Sequence, residues 1–106
     1  MAYKVIITEP AIQQLESYIA YTKYKLKNIQ AAKSIRDDAK KTKKKLSNIA
    51  EMLPLCTNDV LASYGYRKIE FEKHNFFMVY RIDGNYIIVD AMYHDLQDFE
   101  SIFTRK

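Results

Sequence analysis

Asp83-Gly84 is the feature that most constrains the fold, because it lies between two runs of β-branched and aromatic residues. An Asp-Gly pair favours a two-residue type I′ turn, since both central positions of that turn need a positive φ. The runs on either side therefore predict two antiparallel strands, near residues 75–82 and 85–94. Lys73-His74 predicts a second tight turn, which adds a strand near residues 65–72 and completes a three-stranded meander.

The two turns together assign every side chain to one face of the sheet, because neighbours alternate along a strand. In this register Tyr80 is opposite Ile87 and Met78 is opposite Val89. One face is apolar and is expected to pack on helices: Ile69, Phe71, Phe76, Met78, Tyr80, Ile82, Ile87, Val89 and Ala91. The opposite, open face mixes aromatic and charged side chains: Tyr66, Lys68, Glu70, Glu72, Phe77, Val79, Arg81, Tyr86, Ile88, Asp90, Met92 and His94.

The first half of the chain predicts a short strand and two helices. Residues 3–8 are strand-like, and Thr8-Glu9-Pro10 is typical of a helix start, with Thr8 as the capping residue. Apolar residues at helical spacing place one face of the first helix inward: Ile12, Leu15, Ile19 and Leu26. Lys27-Asn28 is the predicted break.

The second helix is predicted over residues 29–52, with a near-heptad apolar seam and Pro54 as its stop. The seam consists of Ile35, Ala39, Thr42, Leu46, Ile49 and Leu53. Residues 54–64 read equally as a loop or as a helical turn. The fold class is therefore α+β: an N-terminal strand, a two-helix hairpin, a meander packed on the helices and a short C-terminal helix, in a single domain over residues 1–106.

Composition excludes several classes of protein. Cys56 is the one cysteine among 106 residues, so neither an internal disulfide nor a cysteine-based zinc site is expected. The sequence has no apolar run long enough for a membrane span and no apolar segment typical of a secretory signal. We expect a cytoplasmic protein that has no cofactor, no metal and no membrane partner.

Charge is unevenly distributed. Residues 1–53 carry 11 Lys and Arg against 5 Asp and Glu, a net charge of +6, whereas residues 54–106 carry 6 against 8, a net charge of −2. The lysines concentrate in the second helix, at Lys40, Lys41, Lys43, Lys44 and Lys45. Such a face can attract nucleic acid or an acidic protein. A solvated helix surface explains the charge equally well.

Chemistry-bearing side chains gather on the predicted open face. His94 is the candidate general acid or base, since imidazole titrates near neutral pH. Arg81 and Lys68 could bind phosphate, and Tyr66 and Tyr86 could stack on bases. The structural alternatives are a strand-end histidine that binds backbone and an arginine paired with Asp90 or Glu70.

Two further charged residues are expected to have structural roles or to be solvated. Arg67 falls on the core side near the end of the sheet, where it is expected to make an ion pair or to extend towards water. His74 falls in a predicted turn and is expected to be solvated. Sequence motifs for nucleotide loops, zinc proteases and serine hydrolases are absent.

The segments YRKIEF, FFMVYRIDGN, YIIVDAMYH and QDFESIF, in this order after two helices, resemble the RelE/ParE superfamily of type II toxins. The resemblance covers essentially the whole chain and is best over residues 66–103. It implies a growth-inhibiting toxin that a cognate antitoxin, encoded beside it and expected to be acidic, neutralises in a hetero-oligomer. It also implies one of two targets: RelE-like members cleave mRNA in the ribosome, and ParE-like members poison DNA gyrase.

Position by position, the ribonuclease pattern is only partly met. Lys68 matches it and His94 stands where other nucleases of the superfamily have a histidine, but four positions depart: Glu70, Phe77, Gln97 and Phe103. The ParE-like pattern is met at Arg67, Tyr80, Arg81, His94 and Asp98. The resemblance thus favours a ParE-like toxin or a degenerate RelE-like one that acts by binding.

Two alternatives stay open. One is a ribosome-dependent endoribonuclease that uses His94 and Arg81, with Lys68, Tyr66 and Tyr86 binding the RNA. The other is a non-catalytic binding module. For either toxin, we expect the antitoxin to bind over the helical hairpin and the sheet rim, on the lysines of the second helix.

Overall fold

A four-stranded sheet with two long helices on one face makes up the computed structural model, which describes residues 3–95. The strands are β1 (Lys4–Ile7), β2 (Arg67–Glu70), β3 (Phe76–Asp83) and β4 (Tyr86–His94). The helices are α1 (Glu9–Ala20), α2 (Ile29–Ile49) and the short α3 (Asp59–Ser63), with a π-helical turn at Tyr21–Lys25 and a 3₁₀ turn at Ala50–Met52. The expected C-terminal helix, with Gln97, Asp98 and Phe103, lies outside the described residues.

The strand order is β1-β4-β3-β2, with β1 parallel to β4 and the other neighbours antiparallel. The α+β class and the meander are confirmed. The N-terminal strand extends the meander to four strands by pairing with β4, from Lys4 opposite Tyr86 to Ile7 opposite Val89. Both long helices lie in the connection from β1 at one edge of the sheet to β2 at the other edge, and both pack on the same face.

The hairpin between β3 and β4 forms as expected, but its turn lies one residue further along the chain. Asp83 pairs with Tyr86, so Gly84 and Asn85 are the central residues, and Gly84 takes the left-handed φ of +60°. Tyr80 is opposite Val89 and not Ile87, so the predicted register is wrong. The predicted and observed registers differ by two residues at Tyr80. A shift by an even number keeps each side chain on its face, so the helix-side face of β3 is as predicted.

A β-bulge at Asp90 overturns the predicted faces of the second half of β4. Tyr80 pairs with Val89 and Val79 with Ala91, so Asp90 is an extra residue in the ladder. One extra residue exchanges the two faces of everything beyond it. Ala91 consequently lies away from the helices, and Met92 and His94 face them, which is opposite to the prediction for all three.

The register between β2 and β3 is confirmed, with Ile69 opposite Met78 and Glu70 opposite Phe77. The amide of Phe71 donates to the carbonyl of Phe76, so the connection is a four-residue loop in place of a two-residue turn. Both loop lengths are compatible with this register, and the predicted faces of β2 are therefore correct.

The seam of α2 is confirmed: Ile35, Ala39, Thr42 and Leu46 are buried, and Ile49 and Leu53 pack against the core. The predicted face of α1 is only half correct. Ile19 is buried and Leu15 is partly buried, but Ile12 is 40% exposed and Leu26 is 58% exposed. The π-helical turn accounts for Leu26, because a wider turn breaks the 3.6-residue repeat on which the spacing relied.

Helix boundaries follow local chemistry. Lys27 has a left-handed φ of 52°, and the Asn28 side chain accepts the amide of Ala31 to cap α2. The break predicted at Lys27-Asn28 is thus confirmed. Thr8 precedes α1 as predicted, but its hydroxyl donates to the carbonyl of Val89 and does not cap the helix. Part of residues 54–64 is helical, in α3.

Candidate functional site

A small polar network lies on the sheet face away from the helices and joins Tyr66, just before β2, to Arg81 on β3 and Asp90 on β4. One carboxylate oxygen of Asp90 accepts the Tyr66 hydroxyl at 2.8 Å and the Arg81 Nε at 3.1 Å. Arg81 also lies near Asp83, with Nη1 3.7 Å from the carboxylate. The network brings together two of the predicted site residues, Tyr66 and Arg81, and adds Asp90, which was not among the predicted site residues.

The β-bulge accounts for the central place of Asp90. An acidic residue inside the run IIVDAM is unfavourable in a regular strand, and a bulge lets it leave the ladder. Burial alone would lower the pKa of Arg81, but the hydrogen bond and the charge of Asp90 raise it above its usual value. Burial, followed by the bond to Asp90, raises the pKa of Tyr66. Arg81 and Tyr66 therefore keep their protons at neutral pH.

Around this network the sheet face is aromatic and largely covered. Phe77, Val79, Ala91 and Tyr93 form a buried cluster with Tyr66 at its border. The Lys68 ammonium lies 4.9 Å from the centre of the Phe77 ring, which is within the range of a cation–π contact. Tyr86 is 45% exposed and pairs with Asp83 at the turn. The face that we predicted to be open is thus buried at the centre of this cluster and exposed at Lys68, Glu70 and Tyr86.

His94 lies on the other face of the sheet. It pairs with Phe76, and the two rings meet edge to face with centroids 5.1 Å apart. Phe76 in turn packs on Tyr18 of α1, with centroids 4.9 Å apart. The sheet therefore separates His94 from Arg81, and the structure does not bring these two predicted catalytic residues together.

His74 is not the solvated turn residue that we predicted. Its Nδ1 lies 2.7 Å from the carboxylate of Asp38, which is 2% exposed on α2. The same carboxylate accepts the backbone amides of Lys73 at 2.9 Å and Glu72 at 3.3 Å. We call this set, Asp38 with residues 72–74, the loop clamp, because it fixes the β2–β3 loop to α2.

Asp38 was missed by the sequence reasoning, although its position could have shown it. It lies three residues after Ile35 and four before Thr42, so it falls on the buried seam of α2. Burial alone would raise the pKa of Asp38, but the bonds from His74 and the two amides outweigh burial and hold the pKa below its usual value. The loop clamp thus contains a charged, satisfied carboxylate.

Arg67 and Tyr80 are both anchored to the end of α2. The guanidinium of Arg67 donates to the carbonyl of Leu53, and the hydroxyl of Tyr80 donates to the carbonyl of Ala50 at 2.7 Å. Arg67 is on the core side, as predicted, and it binds a backbone carbonyl. Burial raises the pKa of Tyr80 to about 12. These contacts satisfy carbonyls that a helix end leaves without partners.

Three of the predicted lysines line an open groove of about 280 Å³ between β1 and α2. Its lining consists of Tyr3, Val5, Lys40, Lys43, Lys44 and Ser47. Lys45 instead lies 3.7 Å from the carboxylate of Glu72. No ion pair neutralises Lys40, Lys43 or Lys44 within residues 3–95. We call this surface the lysine groove.

Residues 3–95 contain no group of three or more His, Cys, Asp or Glu side chains placed to hold a metal ion. No helix in the same range is long and apolar enough to cross a membrane.

Comparison with known proteins gives one family match and several structural likenesses. Residues 5–99 match the family model for the ParE toxin of the type II toxin–antitoxin system parDE. A chain of the chromosomal ParDE toxin–antitoxin system from P. aeruginosa superposes with a TM-score of 0.71 at 19% identity, covering 88% of this chain and 96% of the other. A chain of the RelBE2 toxin–antitoxin complex from Mycobacterium tuberculosis gives 0.56 at 14% identity, covering 89% and 99%.

No curated protein sequence matches this chain. The two structural likenesses are at low identity and therefore demonstrate the shared fold alone. The family match covers most of the chain, including both long helices and all four strands.

Proposed function

Because the chain belongs to the ParE toxin family of type II toxin–antitoxin systems, we propose that it arrests growth by binding a macromolecular target without cutting nucleic acid. DNA gyrase is the favoured target, as the ParE-like residues at Arg67, Tyr80 and Arg81 indicated. The cognate antitoxin neutralises the toxin by forming a hetero-oligomer with it.

One observation carries the non-catalytic mechanism: the sheet separates the two side chains that a nuclease would need to combine. A general acid or base must lie within hydrogen-bonding reach of the atom it serves, directly or through one water. His94 packs on Phe76 on the helix side, whereas Arg81 binds Asp90 on the other side. A phosphate held by Arg81 is therefore out of reach of His94, and Arg81 already has a carboxylate partner.

The lysine groove supports an acidic antitoxin as the partner. Lys40, Lys43 and Lys44, which have no ion pair within residues 3–95, line this groove together with Tyr3 and Val5. An acidic segment with apolar side chains would match this surface in both charge and polarity. Hydrogen exchange of the toxin with and without the protein encoded beside it tests the placement, and an unprotected α2 on binding would rule it out.

Induced expression in bacteria, with and without the neighbouring gene, tests the toxin function. We expect growth arrest that the neighbouring gene relieves, together with gyrase trapped on cleaved DNA and intact messenger RNA. A soluble, folded product that does not slow growth would contradict the proposal.

Mapping of mRNA 5′ ends during arrest separates this mechanism from the ribonuclease alternative. We expect no codon-phased cleavage, and Arg81→Ala and His94→Ala are expected not to change the pattern of ends. Codon-phased cleavage that disappears in both variants would establish the ribonuclease instead. Thermal unfolding of each variant controls for loss of the fold.

A further inference from the structure

The tip of the helical hairpin exposes more apolar surface than the fold explains. Four large side chains between the end of α1 and the start of α2 are 57–70% exposed: Tyr21, Tyr24, Leu26 and Ile29. Exposed single apolar residues are ordinary, but a contiguous group on a monomer marks an interaction surface. We call residues 21–29 the hairpin tip.

The hairpin tip is also strongly cationic. Lys23, Lys25 and Lys27 alternate with its apolar residues, and the sequence contains no acidic residue between Glu16 and Asp37. Within the described range no ion pair neutralises these three lysines. The Lys23 ammonium lies 5.2 Å from the centre of the Tyr24 ring, so this charge is held against an aromatic surface.

The backbone holds this surface in one shape. The π-helical turn at Tyr21–Lys25 ends in Leu26, Lys27 adopts the left-handed φ of 52°, and the amide of Asn28 donates to the carbonyl of Thr22. A left-handed lysine costs energy, since its Cβ is crowded there, and π-helical turns are frequent at functional sites. A preorganised surface loses less entropy when it binds.

We propose that the hairpin tip is the surface by which this toxin holds the protein component of its target, an acidic surface with an apolar pocket. This inference rests on the proposed function, which requires the toxin to bind a target. A second copy of this chain is disfavoured because it would bring like charges together. Leu26 and Ile29 favour a protein over a nucleic acid, because aliphatic side chains offer no plane on which bases stack.

The separation of the hairpin tip from the lysine groove assigns it to the target and not to the antitoxin. Ile29 and Lys40, the lysine of the groove nearest to the tip along α2, are 11 residues apart on one helix, which corresponds to about 16 Å at the 1.5 Å rise per residue of an α-helix. An antitoxin segment seated in the lysine groove therefore leaves the tip to a second partner. Tyrosine is enriched at the centre of protein interfaces, and the lysines around Tyr21 and Tyr24 suit the polar rim that surrounds such a centre.

The test compares two double variants that each remove two exposed apolar side chains. Leu26→Ser with Ile29→Ser alters the tip, and Met52→Ser with Val60→Ser alters side chains that are 79% and 52% exposed elsewhere. We expect the tip variant to weaken target binding at least about tenfold and to abolish growth arrest, because interface anchors carry most of the binding energy. The control variant is expected to arrest growth like the unaltered chain.

Antitoxin binding and thermal unfolding are measured on the same proteins. The tip variant is expected to bind the antitoxin with unchanged affinity and to unfold at the same temperature as the control. The inference is overturned if the tip variant still arrests growth fully. It is also overturned if the tip variant loses affinity for the antitoxin and keeps its affinity for the target. An unaltered chain that does not arrest growth contradicts the proposed function itself.

Two binding measurements test the class of the partner. The unaltered chain and the tip variant are each titrated with a single-stranded DNA 20-mer and with vesicles of phosphatidylcholine and phosphatidylglycerol. We expect no binding that depends on Leu26 and Ile29 in either titration. A tip-dependent affinity for the oligonucleotide or for the anionic vesicles would reassign the tip and overturn the inference of a protein partner.

Discussion

The two faces of the sheet hold their polar groups in opposite ways. On the helix side the loop clamp, Arg67 and Tyr80 bind backbone groups in the interior, and Asp38 is 2% exposed. On the other side Arg81, Asp90 and Tyr66 bind one another's side chains, and the Arg81 and Asp90 side chains are 37% and 20% exposed. Bonds to backbone groups fix the first set to the fold, whereas bonds between side chains join Arg81, Asp90 and Tyr66.

The difference explains why the same residue types contribute differently to the molecule. Removal of a buried acceptor leaves its donors buried without a partner. The protein then loses the full free energy that solvation by water would have given those donors. Removal of one member of a partly exposed network lets water replace it, so the loss is small. We therefore expect substitutions on the helix side to unfold the protein and those on the other side to leave it folded and to report on function.

The largest effect is expected from Asp38→Ala. Two amides and the His74 ring lose their acceptor, so the free energy of unfolding is expected to fall by about 3 kcal/mol. Urea denaturation measures the change, and Asp37→Ala at the exposed neighbouring position is expected to stay within about 0.5 kcal/mol of the unaltered chain. Equal effects of the two substitutions would remove the distinction between the faces.

The contribution of Asp38 also depends on pH, in a direction set by its lowered pKa. The carboxylate stabilises the folded state fully above the ordinary pKa of 3.8, and this contribution is lost as the pH falls through 3.8 to the lower pKa of the folded protein. The stability difference between the unaltered chain and Asp38→Asn is therefore expected to narrow in acid. A difference that stays constant down to pH 2 would contradict this assignment.

A somewhat smaller effect is expected from Tyr80 at alkaline pH. Unfolded tyrosine loses its proton near pH 10.0, whereas buried Tyr80 keeps it to about pH 12. The unfolded state thus binds fewer protons in this window, and stability is expected to fall by about 2–3 kcal/mol as the pH rises through it. In denaturation experiments, Tyr80→Phe is expected not to show this fall in the free energy of unfolding. The control Tyr86→Phe, at an exposed position, is expected to show it.

The smallest effect is expected on the opposite face, from a double-mutant cycle on Arg81 and Asp90. Their coupling is expected to be about 0.5–1 kcal/mol, because both side chains are partly solvated. Single and double alanine variants, compared by urea denaturation, give the value. A coupling as large as the Asp38→Ala effect would show that this network, too, holds the fold together.

Much of the fold could be predicted because its signals are local. The β3–β4 hairpin, the seam of α2 and the break at Lys27-Asn28 each depend on residues close in sequence and are present, although the turn of the hairpin lies at Gly84-Asn85. The family resemblance, carried by short segments in order, was likewise readable and is confirmed by the family match.

The site was less predictable, because it depends on contacts between distant residues. Asp90 can be seen in the sequence as an acid within an apolar strand, but only the ladder with β3 shows that it bulges and turns Met92 and His94 to the helix side. His74 looked solvated because its partner Asp38 lies 36 residues away. Because of this bulge, His94 lies on the helix side of the sheet and Arg81 lies on the opposite side.

The sequence by itself determined the two long helices and the four strands of residues 3–95, since hydrophobic period and turn chemistry act within a few residues. The tertiary structure alone decided which side of the sheet each residue of β4 faces beyond Asp90, and which buried acid holds the β2–β3 loop. A one-residue bulge reverses a whole set of side chains without changing the local pattern. Whether Arg81 and His94 could act together was therefore a question of tertiary structure.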